Sequence, residues 1–214
     1  MHHSGGAWTE SCEIYGRLIA PVFQLEAPRF LSLGLGLGYN EMLIAEQARR
    51  HANSRWACVS YESDPFLAES LLLALRGEAP EGEIAETYES ILNRFNDTAS
   101  LRDNLLRAHQ EKRWIIEGRL HLNCRVPFSI HGFLWDAFSQ KTSPELWNED
   151  FLFSFLQASA DPDFAGLTTY ACIGKLKRAL KKLNFEVLEK SGFQGKRNST
   201  LAWRGDWKPR QAKA

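Results

Sequence analysis

Three short stretches carry residues whose types and spacing can do chemistry. The first is "RFLSLGLGLGYNEMLIAE", residues 29–46, in which Gly34, Gly36 and Gly38 follow an apolar run at alternate positions. Glycine in that rhythm weakens helix and strand alike. Between a strand and a helix, three glycines make a tight turn, let a ligand approach the backbone and let the helix start close to the strand. The spacing is GxGxG rather than GxGxxG, and a purely structural turn fits it as well. The second stretch is "VSYESDP", where Glu62 stands 24 residues after Gly38. An acid ending a second strand accepts hydrogen bonds from both ribose hydroxyls of an adenosine cofactor, a feature that NAD and S-adenosylmethionine share. Capping the next helix is the plain alternative, although Ser63 and Asp64 can do that and leave Glu62 freer for a ligand. The third is "FLWDAFSQKTSPELWNEDFL". Asp136 falls directly after an apolar strand, where a carboxylate can hold an amine or take a proton from it. An aspartate in a turn is the plain alternative.

These residues need elements to position them. Strands are expected over 29–33, 56–61, 120–124, 130–135, 166–171, 185–190 and 199–204. Helices are expected over 39–51, 65–76, 84–95, 100–112, 148–160 and 174–183. Proline opens the helix over 65–76, where its missing N–H costs nothing. Alternating strands and helices imply an α/β fold, a Rossmann-like, mostly parallel sheet covered on both faces. The last two strands have only a loop between them and must pair antiparallel. A parallel sheet ending in an antiparallel C-terminal hairpin is the class I methyltransferase architecture; a dehydrogenase Rossmann domain lacks that hairpin. Ligands in such sheets bind beyond the carboxyl ends of the strands, at the switch point.

The composition fits one substantial domain of 214 residues. No apolar run approaches the ~20 residues needed to span a bilayer, and "MHHSGGAWTESCE" lacks the charged and apolar regions of a signal peptide. Cys12, Cys58, Cys124 and Cys172 lie far apart without a CxxC pair. Free thiols in a reducing, cytoplasmic setting are the expectation, with no metal cluster and no membrane partner. Net charge is zero but uneven: from Tyr170 onward twelve Lys and Arg face three Asp and Glu, a local +9. Such a basic third suits a polyanion, or a solvated helix face and tail.

Five segments occur together and in order: "MHHSGGAWTES", "LGLGLGYNEML", "VSYESDPF", "FLWDAFSQKTSPELW" and "KLKRALKKLNFEVLEKSGFQGKRNSTLAW". Together they resemble the methyltransferase domain of the MnmC-type tRNA-modifying enzymes, over nearly the whole chain and patchily over about 83–130. The turn of Asp136, Ala137 and Phe138 with Pro144 and Trp147 downstream is the most specific part, along with "GFQGKR" near the end. The resemblance implies S-adenosylmethionine as cofactor and tRNA as partner. The reaction it implies is methylation of 5-aminomethyl-2-thiouridine at the wobble position to 5-methylaminomethyl-2-thiouridine. By the same likeness Gly34, Gly36, Gly38 and Asn40 line the methionine side of the cofactor and Glu62 holds its ribose. Asp136 stands between sulfonium and substrate amine as a catalytic and cofactor-binding residue. Phe138 and Trp147 fall on the substrate side, Trp147 as a stacking platform for a base or else a core residue. Lys196, Arg197 and the basic helix over 174–183 face tRNA phosphate.

The implied organisation is a segment over 1–28 packing near the cofactor site, a methyltransferase domain over 29–205 and a basic tail over 206–214. Longer family members carry an oxidase domain that prepares the amine. This chain reads as a stand-alone methyltransferase, with a separate oxidase or tRNA-modifying enzyme as its partner. Two departures stand out. Ser32 occupies the position, two residues before the first glycine, where the family usually has an acid. After the strand expected over 120–124 there is neither the family's acid nor a helix, and Asn123 is the nearest polar residue. A methyltransferase fold that has lost catalysis and binds RNA or protein is the second reading. A divergent methyltransferase for another amine and a nicotinamide oxidoreductase follow.

Overall fold

The computed structural model describes residues 7–190 and 199–206. Strand β1 (Arg29–Leu33) is apolar at three of its five positions and buried almost throughout, the mark of a central strand covered on both faces. It pairs in parallel with β2 (Ala57–Tyr61) and β4 (Gly132–Trp135). Outside these lie β3 (Trp114–Glu117) and β5 (Ala165–Thr169), both parallel. β6 (Glu186–Lys190) and β7 (Ser199–Arg204) complete the sheet in the order β3-β2-β1-β4-β5-β7-β6. β7 runs antiparallel to both β5 and β6. The strand order reverses between β1 and β4, which places the switch point at Gly34 and Asp136.

Eight helices cover the sheet among the described residues: α1 (Ala7–Ile14), α2 (Gly16–Val22), α3 (Tyr39–Arg50), α4 (Pro65–Arg76), α5 (Glu83–Leu92), α6 (Thr98–Gln110), α7 (Glu149–Ser159) and α8 (Gly174–Lys182). Their starts follow their sequence. Pro65 opens α4 and the Asp64 carboxylate accepts the Phe66 N–H at 3.0 Å. Asp97 caps α6 through Ser100 N–H, and Asn148 caps α7 through the N–H groups of Asp150 and Phe151. One core joins Leu18, Met42, Ile44, Leu71, Leu101 and Trp114. The other joins Phe133, Trp135, Phe151, Leu152, Leu176 and Leu180.

Two sequence expectations need correction. The stretch over 120–124 is not a strand. β3 lies earlier, where Trp114 is fully buried and gives its Nε1–H to Ser60 Oγ at 3.1 Å. Leu122 by contrast is exposed, so that stretch lacks the half-buried pattern of a strand. β3 therefore ends in an acid after all, Glu117, whose carbonyl accepts the Glu62 N–H at 3.0 Å. The N-terminal segment, for which no element was expected, forms α1 and α2. Leu18 of α2 sits on β5 at Gly166, where any side chain would collide with it. No helix among the described residues is long and apolar enough to cross a membrane, and all four cysteines are free thiols.

Candidate functional site

The glycine loop is built by three left-handed residues, with φ of 83° at Gly34, 52° at Gly36 and 77° at Gly38. Only glycine adopts such values without strain. Each has a different neighbour. A Cβ on Gly34 would stand 2.6 Å from the Asp136 carbonyl oxygen, so the bare backbone lets the ends of β1 and β4 close together. A Cβ on Gly38 would meet Leu71 of α4, whereas one on Gly36 would meet nothing within 4 Å. Gly36 therefore faces open space, and that space is a cavity of about 790 Å³ at the carboxyl end of the sheet. Gly34, Gly36, Glu62, Asp136 and Phe138 all line it.

Glu62 is not the freely available acid its sequence suggests. Its Oε2 accepts the Gly36 N–H at 2.9 Å and its Oε1 accepts the Asp64 N–H at 2.9 Å. The carboxylate thus ties the loop to the start of α4. Ser63 Oγ also donates to Oε1 at 3.5 Å, which leaves Oε2 as the less engaged oxygen of a fixed group.

Asp136 directly follows β4, its N–H donating to the Leu33 carbonyl at 2.9 Å. Burial pushes its carboxyl up to about 6, with Glu10 adding to the rise and the Tyr15 hydroxyl opposing it. Glu10 and Tyr15 reach the cavity from the N-terminal segment, and Tyr170 reaches it from the end of β5. Tyr15 is buried; its hydroxyl lies beside Asp136 without closing a hydrogen bond of ordinary geometry. The turn after Asp136 is clamped at successive carbonyls. Tyr170 donates its hydroxyl to Ala137, and Trp147 donates its Nε1–H to Phe138 at 2.6 Å. The Phe138 ring itself is 65% exposed at the cavity.

Other expected residues lie elsewhere. Trp147 is 1% exposed and packed in the core, so its ring offers no stacking face; it anchors the loop that carries Phe138. Gly38 and Asn40 do not line the cavity; Asn40 is buried behind the loop. The basic face of α8 is largely neutralised, since Lys177 pairs with Glu189 and both Arg178 and Lys182 pair with Glu149. Lys196, Arg197 and the tail beyond Asp206 lie outside the described residues.

The sequence reading puts Glu10 in the N-terminal segment near the cofactor site and misses Tyr15, Tyr170 and Glu41. Glu41, in the first turn of α3, is 1% exposed. Its Oε1 accepts from Ser60 Oγ at 2.7 Å. Burial raises its carboxyl to about 7, against the opposing effect of Ser60 and Ser32.

Known proteins place this arrangement. Residues 113–205 match the family described as S-adenosyl-L-methionine-dependent methyltransferase. The chain is 27% identical over 179 residues to the tRNA 5-methylaminomethyl-2-thiouridine biosynthesis bifunctional protein MnmC of Paraburkholderia phymatum, covering 78% of this chain and 26% of the relative. To the protein of the same description from Cupriavidus necator it is 35% identical over 88 residues, 41% of this chain and 13% of the relative. It therefore spans about a quarter or less of the length of these relatives. The crystal structure of MnmC2 from Aquifex aeolicus shares the fold with a TM-score of 0.61 at 22% identity, covering 94% of this chain and 62% of that one.

Proposed function

We propose that this chain is an S-adenosyl-L-methionine-dependent methyltransferase and that it methylates the aminomethyl nitrogen of a modified wobble uridine in tRNA, taking 5-aminomethyl-2-thiouridine to 5-methylaminomethyl-2-thiouridine. The observation that carries the reading is Asp136: a carboxyl held near 6, at the switch point, between the glycine loop and an exposed aromatic ring. Similarity to tRNA 5-methylaminomethyl-2-thiouridine biosynthesis proteins supports the choice of substrate.

The residues present fit the methyl donor. Gly36 leaves its side of the cavity open. Glu62 presents a fixed carboxylate at the cavity, with Oε2 the less engaged acceptor for a ribose hydroxyl. A volume of about 790 Å³ accommodates a nucleoside-sized ligand with room for an acceptor group. When bound, the donor supplies an activated methyl group on a sulfonium. The chain's task is then to position and to handle a proton. The acceptor amine must be neutral to react, and Asp136 accepts a hydrogen bond from it, orients its lone pair and takes up its proton. Phe138 presents a ring on which the uracil can stack. Lys196, Arg197 and two lysines of α8 that form no salt bridge among the described residues, Lys175 and Lys181, are the proposed phosphate contacts. The N-terminal segment over 1–28 serves as one wall of the donor site through Glu10 and Tyr15. The aminomethyl group is the product of another enzyme, for which a separate oxidase is the proposed partner.

Titration calorimetry with S-adenosylmethionine is the first test, and no binding at millimolar ligand sinks the enzymatic reading. With binding established, Asp136→Ala is expected to abolish methyl transfer to tRNA that carries the aminomethyl group and to retain the donor. Equal transfer by the variant removes Asp136 from the mechanism.

A further inference from the structure

The cavity beyond the carboxyl ends of the strands is lined, among the described residues, by five acids and one cation, Arg119. Four of the acids are answered within the chain. Arg119 pairs with Glu145 at 2.7 Å, Glu62 accepts the N–H groups of Gly36 and Asp64, and Asp64 caps α4. Asp136 has the Tyr15 hydroxyl beside it. Glu10 is half-buried, yet it has no hydrogen-bond or ion-pair partner among the described residues.

The fold brings Glu10 to the end of the cavity where Asp136 stands. Glu10, Ser11, Ile14 and Tyr15 all line the cavity. Their spacing of one, three and one residues makes a single helical stripe, and Glu10 is the only charge on it. The stripe is pinned to the sheet at its end, since Thr168 of β5 donates its hydroxyl to the Ile14 carbonyl at 2.8 Å. Thr168 lies beside Leu134 in the β4–β5 register, and Leu134 stands two residues before Asp136. The charge of Glu10 acts on Asp136, Tyr15 and Tyr170 alike. Two carboxylates from different elements therefore share one region of the cavity.

A primary amine that reacts through its lone pair has two N–H donors left, and two carboxylates match them. Resting on the methyl-transfer reading above, we propose that Glu10 is the second carboxylate of the acceptor-amine site and limits transfer to one methyl per amine. Asp136 accepts one N–H of the neutral amine and Glu10 the other, which aims the lone pair at the donor. The nitrogen forms its bond to the methyl carbon with that pair, while the pair of the broken carbon–sulfur bond stays with sulfur. The surplus proton on nitrogen passes to Asp136. The singly methylated amine keeps only one N–H. To present its lone pair again it must turn its methyl group to one of the two carboxylates, which leaves that carboxylate desolvated and without a donor.

Glu10→Leu removes the carboxylate and none of the bonds of the described fold. Mass spectrometry of tRNA digested after reaction is expected to show dimethylated nucleoside with this variant and only the monomethylated one with wild type. Filter binding with S-adenosylhomocysteine present is expected to show wild type preferring tRNA with the aminomethyl group over tRNA with plain 2-thiouridine by about tenfold. Glu10→Leu should lose most of that preference. Glu10→Gln keeps an acceptor oxygen without the charge; it should hold to one methyl while losing part of the preference, and it is the second variant if the first does not fold. Single methylation by Glu10→Leu, or an unchanged preference in either variant, overturns the assignment and leaves the methyl-transfer reading standing. Wild-type protein that methylates no tRNA overturns that reading and the assignment with it.

Discussion

The two ends of the sheet both bury charged and polar groups and treat them in opposite ways. At the amino end, Arg29 Nη2 donates to Asp161 at 2.8 Å and meets His131 Nε2 at 3.1 Å, while Ser129 donates to the same Asp161 oxygen at 2.8 Å. Arg204 closes the group on the Ala160 and Asp161 carbonyls. Against the burial that opposes it, hydrogen bonds from Ser129 and from the N–H groups of Asp163 and Phe164 hold the Asp161 carboxyl below its usual value. At the carboxyl end, burial dominates instead. Asp136 is raised to about 6 and Glu41 to about 7, with the hydroxyls of Tyr15, Ser60 and Ser32 opposing the rise. The amino end pairs the Asp161 carboxylate with a cation within the chain and so contributes to stability, although Arg29 Nε and Arg204 Nε have no partner among the described residues. The carboxyl end buries carboxyls with no cation beside them among the described residues, as suits a site that handles a proton.

The sharpest way to break the contrast is at Asp136. Asp136→Asn is expected to lower single-turnover methyl transfer by about 10²–10⁴-fold, with S-adenosylhomocysteine affinity nearly unchanged by calorimetry. In wild type, kcat/KM should rise as pH passes through about 6, because the carboxyl must lose its proton to accept one.

Glu41 comes next. An acid whose value rises from 4.5 unfolded to about 7 folded favours folding while protonated. Its contribution is fully present below pH 4.5 and is lost progressively as pH climbs to about 7, about 3 kcal/mol in all. Urea unfolding across that window should be flatter in Glu41→Gln, with the share of Asp136 between 3.8 and about 6 remaining.

At the amino end Asp161→Ala should cost about 2–3 kcal/mol, because the partly buried Arg29 loses its anion. Donor binding per folded molecule should not move; a matching loss of affinity would erase the division between the two ends. The smallest effect belongs to Gly36→Ala. A left-handed alanine costs about 1 kcal/mol, and its methyl enters the cavity, so donor affinity should fall more than thermal stability does.

Much of this was legible in the residues because the chain punctuates itself. Pro65 and Gly77 bracket α4 at the expected ends, and the alternate glycines mark the β1–α3 turn. The short link before β7 forces the antiparallel pairing. β3 was not legible, because "WII" follows α6 with only a three-residue break, and what makes it a strand is Trp114 packing under Ser60, a tertiary fact. Tyr15 reaches Asp136 only through the fold, from the far end of the sequence. Glu41 did leave a trace. It shares a helical stripe with the buried Ala45 and Ala48, and an acid on an apolar stripe marks either a partner or a purpose. Trp147 misled because a tryptophan beside a catalytic turn reads equally well as platform or anchor, and only its burial decides.

The clamp on the turn after Asp136 has a consequence for how a substrate is met. Tyr170 and Trp147 fix two successive carbonyls, and the second belongs to the residue whose ring stands in solvent. Phe138 is thus an exposed aromatic on a backbone that has already surrendered its freedom. A ligand that stacks on it finds its shelf already set, and little loop entropy remains to be lost at the encounter.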